Sequence, residues 1–186
     1  EFQWDVQRAD DVIAGGLGDV DDTDHRALLS RVRSRVRDDL HPRWSSLRRS
    51  PIHNDANDHN VLADEGGTRV VGLLDFGDMV HSVTAHEAAV ACTYAMFGRD
   101  DAVSVMRSVV AGVDGTCRLT ADELDALPSL VLARLGASVA ISAHQARLSS
   151  DPYLRVSEAP AWALLERLAV VPGSALRIAV HEAVGR

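Results

Sequence analysis

Pro51-Ile52-His53-Asn54-Asp55-Ala56-Asn57-Asp58-His59-Asn60-Val61-Leu62, followed by Leu73-Leu74-Asp75-Phe76-Gly77-Asp78, are the stretches that decide how this chain reads. The first crowds titratable and amide side chains between two short apolar runs. Structural needs do not require that density, and loops on rigid scaffolds are where function concentrates. Ser50 to His53 and Asn60 to Ala63 read as short strands, Glu65-Gly66-Gly67 as a turn, and Thr68 to Leu74 as a β-branched apolar strand. A hairpin therefore lies between His53 and Asp75, and it is the β structure expected of this chain.

Outward from the hairpin the chain is helical. Leu28, Leu29, Val32, Val36 and Leu40 recur on one face of a helix from Thr23 to Leu40. Arg31, Arg33, Arg35 and Arg37 fan around its solvated side. Further helices are expected over 85–97, 102–112 and 121–148. The last opens with a capping box at Thr120 and Glu123, and Pro128 is placed to divide it. Helices from Ser157 to Leu168 and from Ser174 to Val184 close the chain. Gly15-Gly16-Leu17-Gly18 lacks the frame of a phosphate-binding loop and reads as a loop between two helices.

The bulk composition is that of one globular domain of 186 residues, 46% hydrophobic and 25% charged. A net charge of −8 argues against a dedicated nucleic-acid binder. Cys92 and Cys117 are too few and too far apart for a disulfide framework or a zinc knuckle, and Cys92 reads as a buried thiol. No apolar stretch approaches the roughly 18 residues of a membrane span, and there is no signal-peptide pattern. A reduced, cytoplasmic domain is expected. The chain begins at Glu1 without Met, with Phe2 and Trp4 close behind, which reads as a cut inside a longer protein.

Phosphoryl transfer from ATP to an alcohol needs a carboxylate to orient the hydroxyl and accept its proton. It also needs an amide oxygen and a second carboxylate to hold Mg²⁺ against the phosphates. Asp55-x-x-x-x-Asn60 followed by Asp75-Phe76-Gly77 has that order and spacing. Each element is weak alone, but the ordered combination is not. With Leu74-Asp75-Phe76-Gly77-Asp78, the motif His53-x-Asp55-x-x-x-x-Asn60 resembles the aminoglycoside phosphotransferase and choline kinase superfamily, which shares the protein-kinase fold. HNDANDHNVL and the later RLGASVAISAHQARLSSDPYLRVSEAPAWALLERL, from Arg134, are similar to its hydroxylysine-kinase-like branch.

That resemblance implies a mainly α fold with a small β hairpin: residues 1–186 as the helical C-terminal lobe of a protein-kinase-like fold, without the N-terminal lobe that grips ATP. It implies Asp55 as catalytic base, Asn60 and Asp75 as Mg²⁺ ligands, and His53 as a strut of the loop backbone. Asp78 either completes the metal shell or bonds nearby backbone. Asp58 and His59 cap the loop or touch substrate. Glu87 reads as a helix-start anchor. The implied substrates are ATP and a small amine-bearing alcohol such as hydroxylysine, choline, ethanolamine or an aminoglycoside. The implied partners are the missing lobe and, in some members, a fused class III aminotransferase. Two departures stand out: Asn54 replaces the family's usual Gly, and the sequence has no lysine. A kinase-like binding module without catalysis and a metal-dependent hydrolase using His53, Asp55, Asp58 and His59 are the rival readings. The isolated lobe should also expose an apolar patch around the hairpin, Phe2 and Trp4, and dimerise through it.

Overall fold

The structure, a computed structural model, describes residues 2–151 and 156–186; the Pro152–Arg155 part of the string that begins at Arg134 lies outside them. The order is α1 (Ala9–Gly16), α2 (Thr23–Leu40), β1 (Arg49–Ile52), β2 (Val61–Ala63), β3 (Val70–Leu73), β4 (Val80–Val83), α3 (Thr84–Met96), α4 (Ala102–Thr116), α5 (Ala121–Leu148), α6 (Glu158–Ala169) and α7 (Gly173–Ala183). Helices dominate, as expected.

The core is built around α5, which packs against α1, α2, α3, α6 and α7. Leu124, Leu127, Leu130, Leu132, Leu135 and Val139 are fully buried, so this helix is apolar nearly all round rather than on one stripe. The expected capping box forms: Thr120 accepts from the Glu123 N–H, and the Glu123 carboxylate from the Thr120 N–H. Pro128 does not divide the helix. A mid-helix proline forfeits one backbone bond, but it is buried among neighbours on every side that hold the helix together. This helix is also long and apolar enough to cross a membrane, against the sequence expectation, yet 89% of that apolar window is buried inside the fold.

Two other expectations are corrected. Gly15 and Gly16 end α1 instead of forming a loop, and only Leu17–Asp19 leave it, as a 3₁₀ turn. Gly16 is needed because α1 crosses α5 closely: a Cβ there would meet Ala140 Cβ and carbonyl oxygen at 2.7 Å. The α2 arginines are not simply a solvated face. Arg33 grips Asp10 through two bonds of 2.8 and 3.0 Å, and Arg35 donates to the Ala169 and Val171 carbonyls at the end of α6.

The β structure forms two small antiparallel pairs. β2 and β3 make the expected hairpin, with a bulge between Leu62 and Ala63. β1 pairs instead with β4, Ile52 opposite Val80, a strand the sequence reading missed. The β1–β4 pair closes a ring around the hairpin, so the residues after β1 and after β3 are brought to one place. The hairpin and its flank carry exposed Leu62, Val70, Val71, Leu74, Phe76 and Met79. Trp4 does not join that apolar surface; it packs over the Arg134 guanidinium.

Candidate active site

Asn54 sets the loop after β1. Its φ of 68° is left-handed, a region asparagine tolerates better than other residues with a Cβ. The glycine that the resemblance implies here would adopt the same conformation, so Asn54 is compatible with that backbone path. The loop is then pinned at Asn54 from two sides. Asn54 N–H donates to Glu87 Oε2 at 3.0 Å, and Asn54 Nδ2 to the Trp4 carbonyl at 3.3 Å. Glu87 thus reaches beyond its own helix start to hold the loop.

His53 is buried and ties the two motifs together. Its Nε2 lies 2.8 Å from the Leu74 carbonyl and therefore carries the proton, leaving Nδ1 to accept from the Asp55 N–H at 3.3 Å. Phe76 packs edge-on against the ring, centroids 5.0 Å apart. Leu74 N–H in turn donates to the Asn60 carbonyl at 2.8 Å. These bonds set Asp75 beside Asn60 although they are fifteen positions apart.

Asp55 is the most constrained carboxylate in the loop. Oδ2 accepts from Asn57 Nδ2 at 3.0 Å and from Asn60 Nδ2 at 2.9 Å, while Oδ1 accepts from Arg134 at 3.0 Å. Burial pushes its pKa above the ordinary carboxylate value; Arg134 pulls against that and the nearby Asp78 adds to it. The second Asn60 amide hydrogen goes to the Asp55 carbonyl at 3.0 Å, so the amide oxygen faces away from the base. Asp75 has φ 55°, and its Oδ1 accepts from the Gly77 N–H at 3.2 Å. That left-handed turn presents an exposed carboxylate next to Asn60.

A cavity of about 270 Å³ collects these groups: Asp55, Asn60, Asp75 and Asp78 on one side, Arg134, Tyr94 and Glu158 on another. His59 lines it as well, whereas Asp58 is exposed and does not. His53 sits behind the loop. Sequence reasoning missed Arg134, Trp4, Tyr94 and Glu158. Only Arg134 carried a readable signal, as a lone cation within an apolar helical run. Asn60 and Asp75 suit Mg²⁺, which takes one or two protein oxygens and fills the rest of its shell with phosphate and water. Among the described residues no three His, Cys, Asp or Glu side chains cluster as metal ligands, which gives no support to the hydrolase reading of His53, Asp55, Asp58 and His59.

The model of the phosphotransferase enzyme family (APH) matches residues 2–127, which contain both motifs. The chain belongs to that family. It is 28% identical over 176 residues to hydroxylysine kinase of Mus musculus, covering 90% of this chain and 46% of the relative. Hydroxylysine kinases of Xenopus laevis (27% over 159 residues; 80% of this chain, 42% of the relative) and Bos taurus (28% over 153 residues; 77% and 41%) are similar in the same way. The chain spans less than half the length of these relatives. No solved structure matches significantly.

Proposed function

We propose that this chain is the acceptor-side and metal-side lobe of an ATP- and Mg²⁺-dependent kinase that phosphorylates the hydroxyl of a small amine-bearing alcohol. The observation that carries the reading is the Asp55 carboxylate, held by three donors at the wall of a cavity that also exposes Asn60 and Asp75. A carboxylate has about four acceptor positions. Asn57 and Asn60 fill those of Oδ2, and Arg134 takes one of Oδ1. Oδ1 is left with room for one more donor, the acceptor hydroxyl, whose proton it takes as the new P–O bond forms and the γ-phosphorus parts from ADP.

Asn60, through its amide oxygen, and Asp75 would hold Mg²⁺, which when bound neutralises charge on the transferring phosphates. Asp78 adds negative charge on the same side. Among the described lining residues, Asp55, Asp75 and Asp78 put three carboxylates beside the guanidinium of Arg134, which favours a cationic acceptor. Hydroxylysine, the substrate in the names of the relatives, leads that class; choline, ethanolamine and aminoglycosides belong to it too. The nucleotide phosphates need donors from a further lobe, and the exposed apolar hairpin is where we place its contact; a second copy of this chain would cover the same face. A fused class III aminotransferase and a cytoplasmic location complete the proposal.

The test is transfer of labelled γ-phosphate from ATP by the full-length protein to each of these amino alcohols and to amine-free counterparts. The reading expects transfer to an amine-bearing acceptor and none by this chain alone. Failure with every alcohol, together with no nucleotide binding, would establish the non-catalytic module instead.

A further inference from the structure

Arg134 leaves the middle of α5 and is 3% exposed. Its terminal Nη2 spends both hydrogens, on Asp55 Oδ1 and on the Tyr94 hydroxyl, each at 3.0 Å. The guanidinium carbon lies 4.4 Å from the Trp4 ring centroid and 5.6 Å from that of Tyr94. Nε and the other terminal nitrogen, Nη1, are buried and have no partner among the described residues. Next to them, on the first turn of α3, His86 is 1% exposed, and both its ring nitrogens also lack a partner among those residues. Burial, helped by the charge of Arg134, pushes the imidazole down to about 3, so the ring is neutral and offers one bare nitrogen.

Buried polar atoms without partners cost about 1–3 kcal/mol each, and native folds satisfy them with ordered water where protein cannot reach. Both residues line a small, partly open cavity of about 10 Å³, together with Trp4, Val6 and Ala133 among others. That is close to the space that one water requires, about 10–15 Å³. We propose that Arg134 is a positioning residue for Asp55, seated by one buried water that accepts from the guanidinium and donates to His86. The water fixes the back of the guanidinium, Trp4 covers its face, and the remaining edge aims at Oδ1. Asp55 is then fixed from both oxygens: by Asn57 and Asn60 on one and by Arg134 on the other.

This inference rests on the reading of Asp55 as the base, and its test separates the two. A crystal structure of this chain at a resolution that shows solvent should place one water within hydrogen-bond distance of both His86 and the Arg134 Nε or Nη1. An empty void overturns the water. In the full-length protein, Arg134→Met should lower kcat about 10²-fold, the scale of a small misplacement of a reacting group, with KM for ATP unchanged. Arg134→Lys should fall between the two. In an Asp55→Asn background Arg134→Met should cost almost nothing further, because its effect runs through that carboxylate. Equal losses in both backgrounds overturn the positioning role. An unchanged kcat in Asp55→Asn alone overturns the base reading, and the positioning role with it. Should Arg134→Met fail to fold, His86→Leu runs the same cycle with the same expectation of non-additivity.

Discussion

Replacing Asn54 by Ala and, separately, by Gly isolates the backbone conformation on which the Asp55 loop turns. Both substitutions remove the Nδ2 bond to the Trp4 carbonyl, worth about 1 kcal/mol. Both also remove Asn54 Oδ1, which is buried without a partner, and this returns about 1 kcal/mol or more. These contributions are common to the pair and cancel in the comparison. The Asn54 N–H bond to Glu87 survives in both, since it is made by the backbone. What differs is φ, 68° in the native loop. Alanine there costs about 1–2 kcal/mol of left-handed strain. Glycine escapes it but gives up about 0.5–1 kcal/mol of unfolded-state entropy. Asn54→Ala should therefore be less stable than Asn54→Gly by about 0.5–1 kcal/mol in urea unfolding, with an unchanged m value. On a domain of this size that is roughly 1–4 °C in Tm. Equal stabilities, or a more stable alanine variant, would show that the loop does not need a left-handed residue at Asn54.

Gly16→Ala should lose about 1–3 kcal/mol, because the new Cβ meets the Ala140 backbone on α5. Gly15→Ala, with nothing within 4 Å, should hold or gain up to about 1 kcal/mol; thermal unfolding of the two separates close helix contact from helix propensity. Glu123 is fully buried and grips Arg48 through bonds of 2.8 and 2.6 Å. Burial raises its pKa, but Arg48 and the Thr120 N–H outweigh this and leave it below the ordinary 4.5. Its contribution is thus present above that value and lost as pH falls through the lower folded one. Glu123→Gln should cost about 2 kcal/mol at pH 7, with the gap to wild type narrowing below about pH 4.5; a gap independent of pH contradicts the ion pair.

The geometry of the loop that carries Asp55 was legible because it is local. Asp55 and Asn60 are five residues apart, and the hairpin that returns Asp75 to them is short and marked by Glu65-Gly66-Gly67. The β4 strand was not legible. Val80-His81-Ser82-Val83 is four residues long and pairs with β1 across the whole hairpin, so nothing nearby in sequence announces it. Arg134 shows the same limit. Its isolation in an apolar helix signals a buried partner, but which carboxylate it meets is decided by how α5 lies against the loop. The arginines of α2 misled for a related reason: their spacing says which way they fan, not that Asp10 and the end of α6 lie within reach. At Gly16 the composition suggested a turn, whereas the need was for a bare backbone at a helix crossing.

The contrast between Asp55→Asn and Asp75→Asn under metal titration tests the central assignment most directly, with kcat of the full-length protein followed as Mg²⁺ or Mn²⁺ is raised. Asp55→Asn removes the proposed proton acceptor and should stay severely impaired at every metal concentration, with ATP binding nearly unchanged. Asp75→Asn removes charge from the proposed hard-cation ligand and should recover in part at high Mg²⁺ or with Mn²⁺, and Asn60→Ala should behave the same way. Recovery of Asp55→Asn by metal alone, or wild-type kinetics in all three variants, contradicts the account.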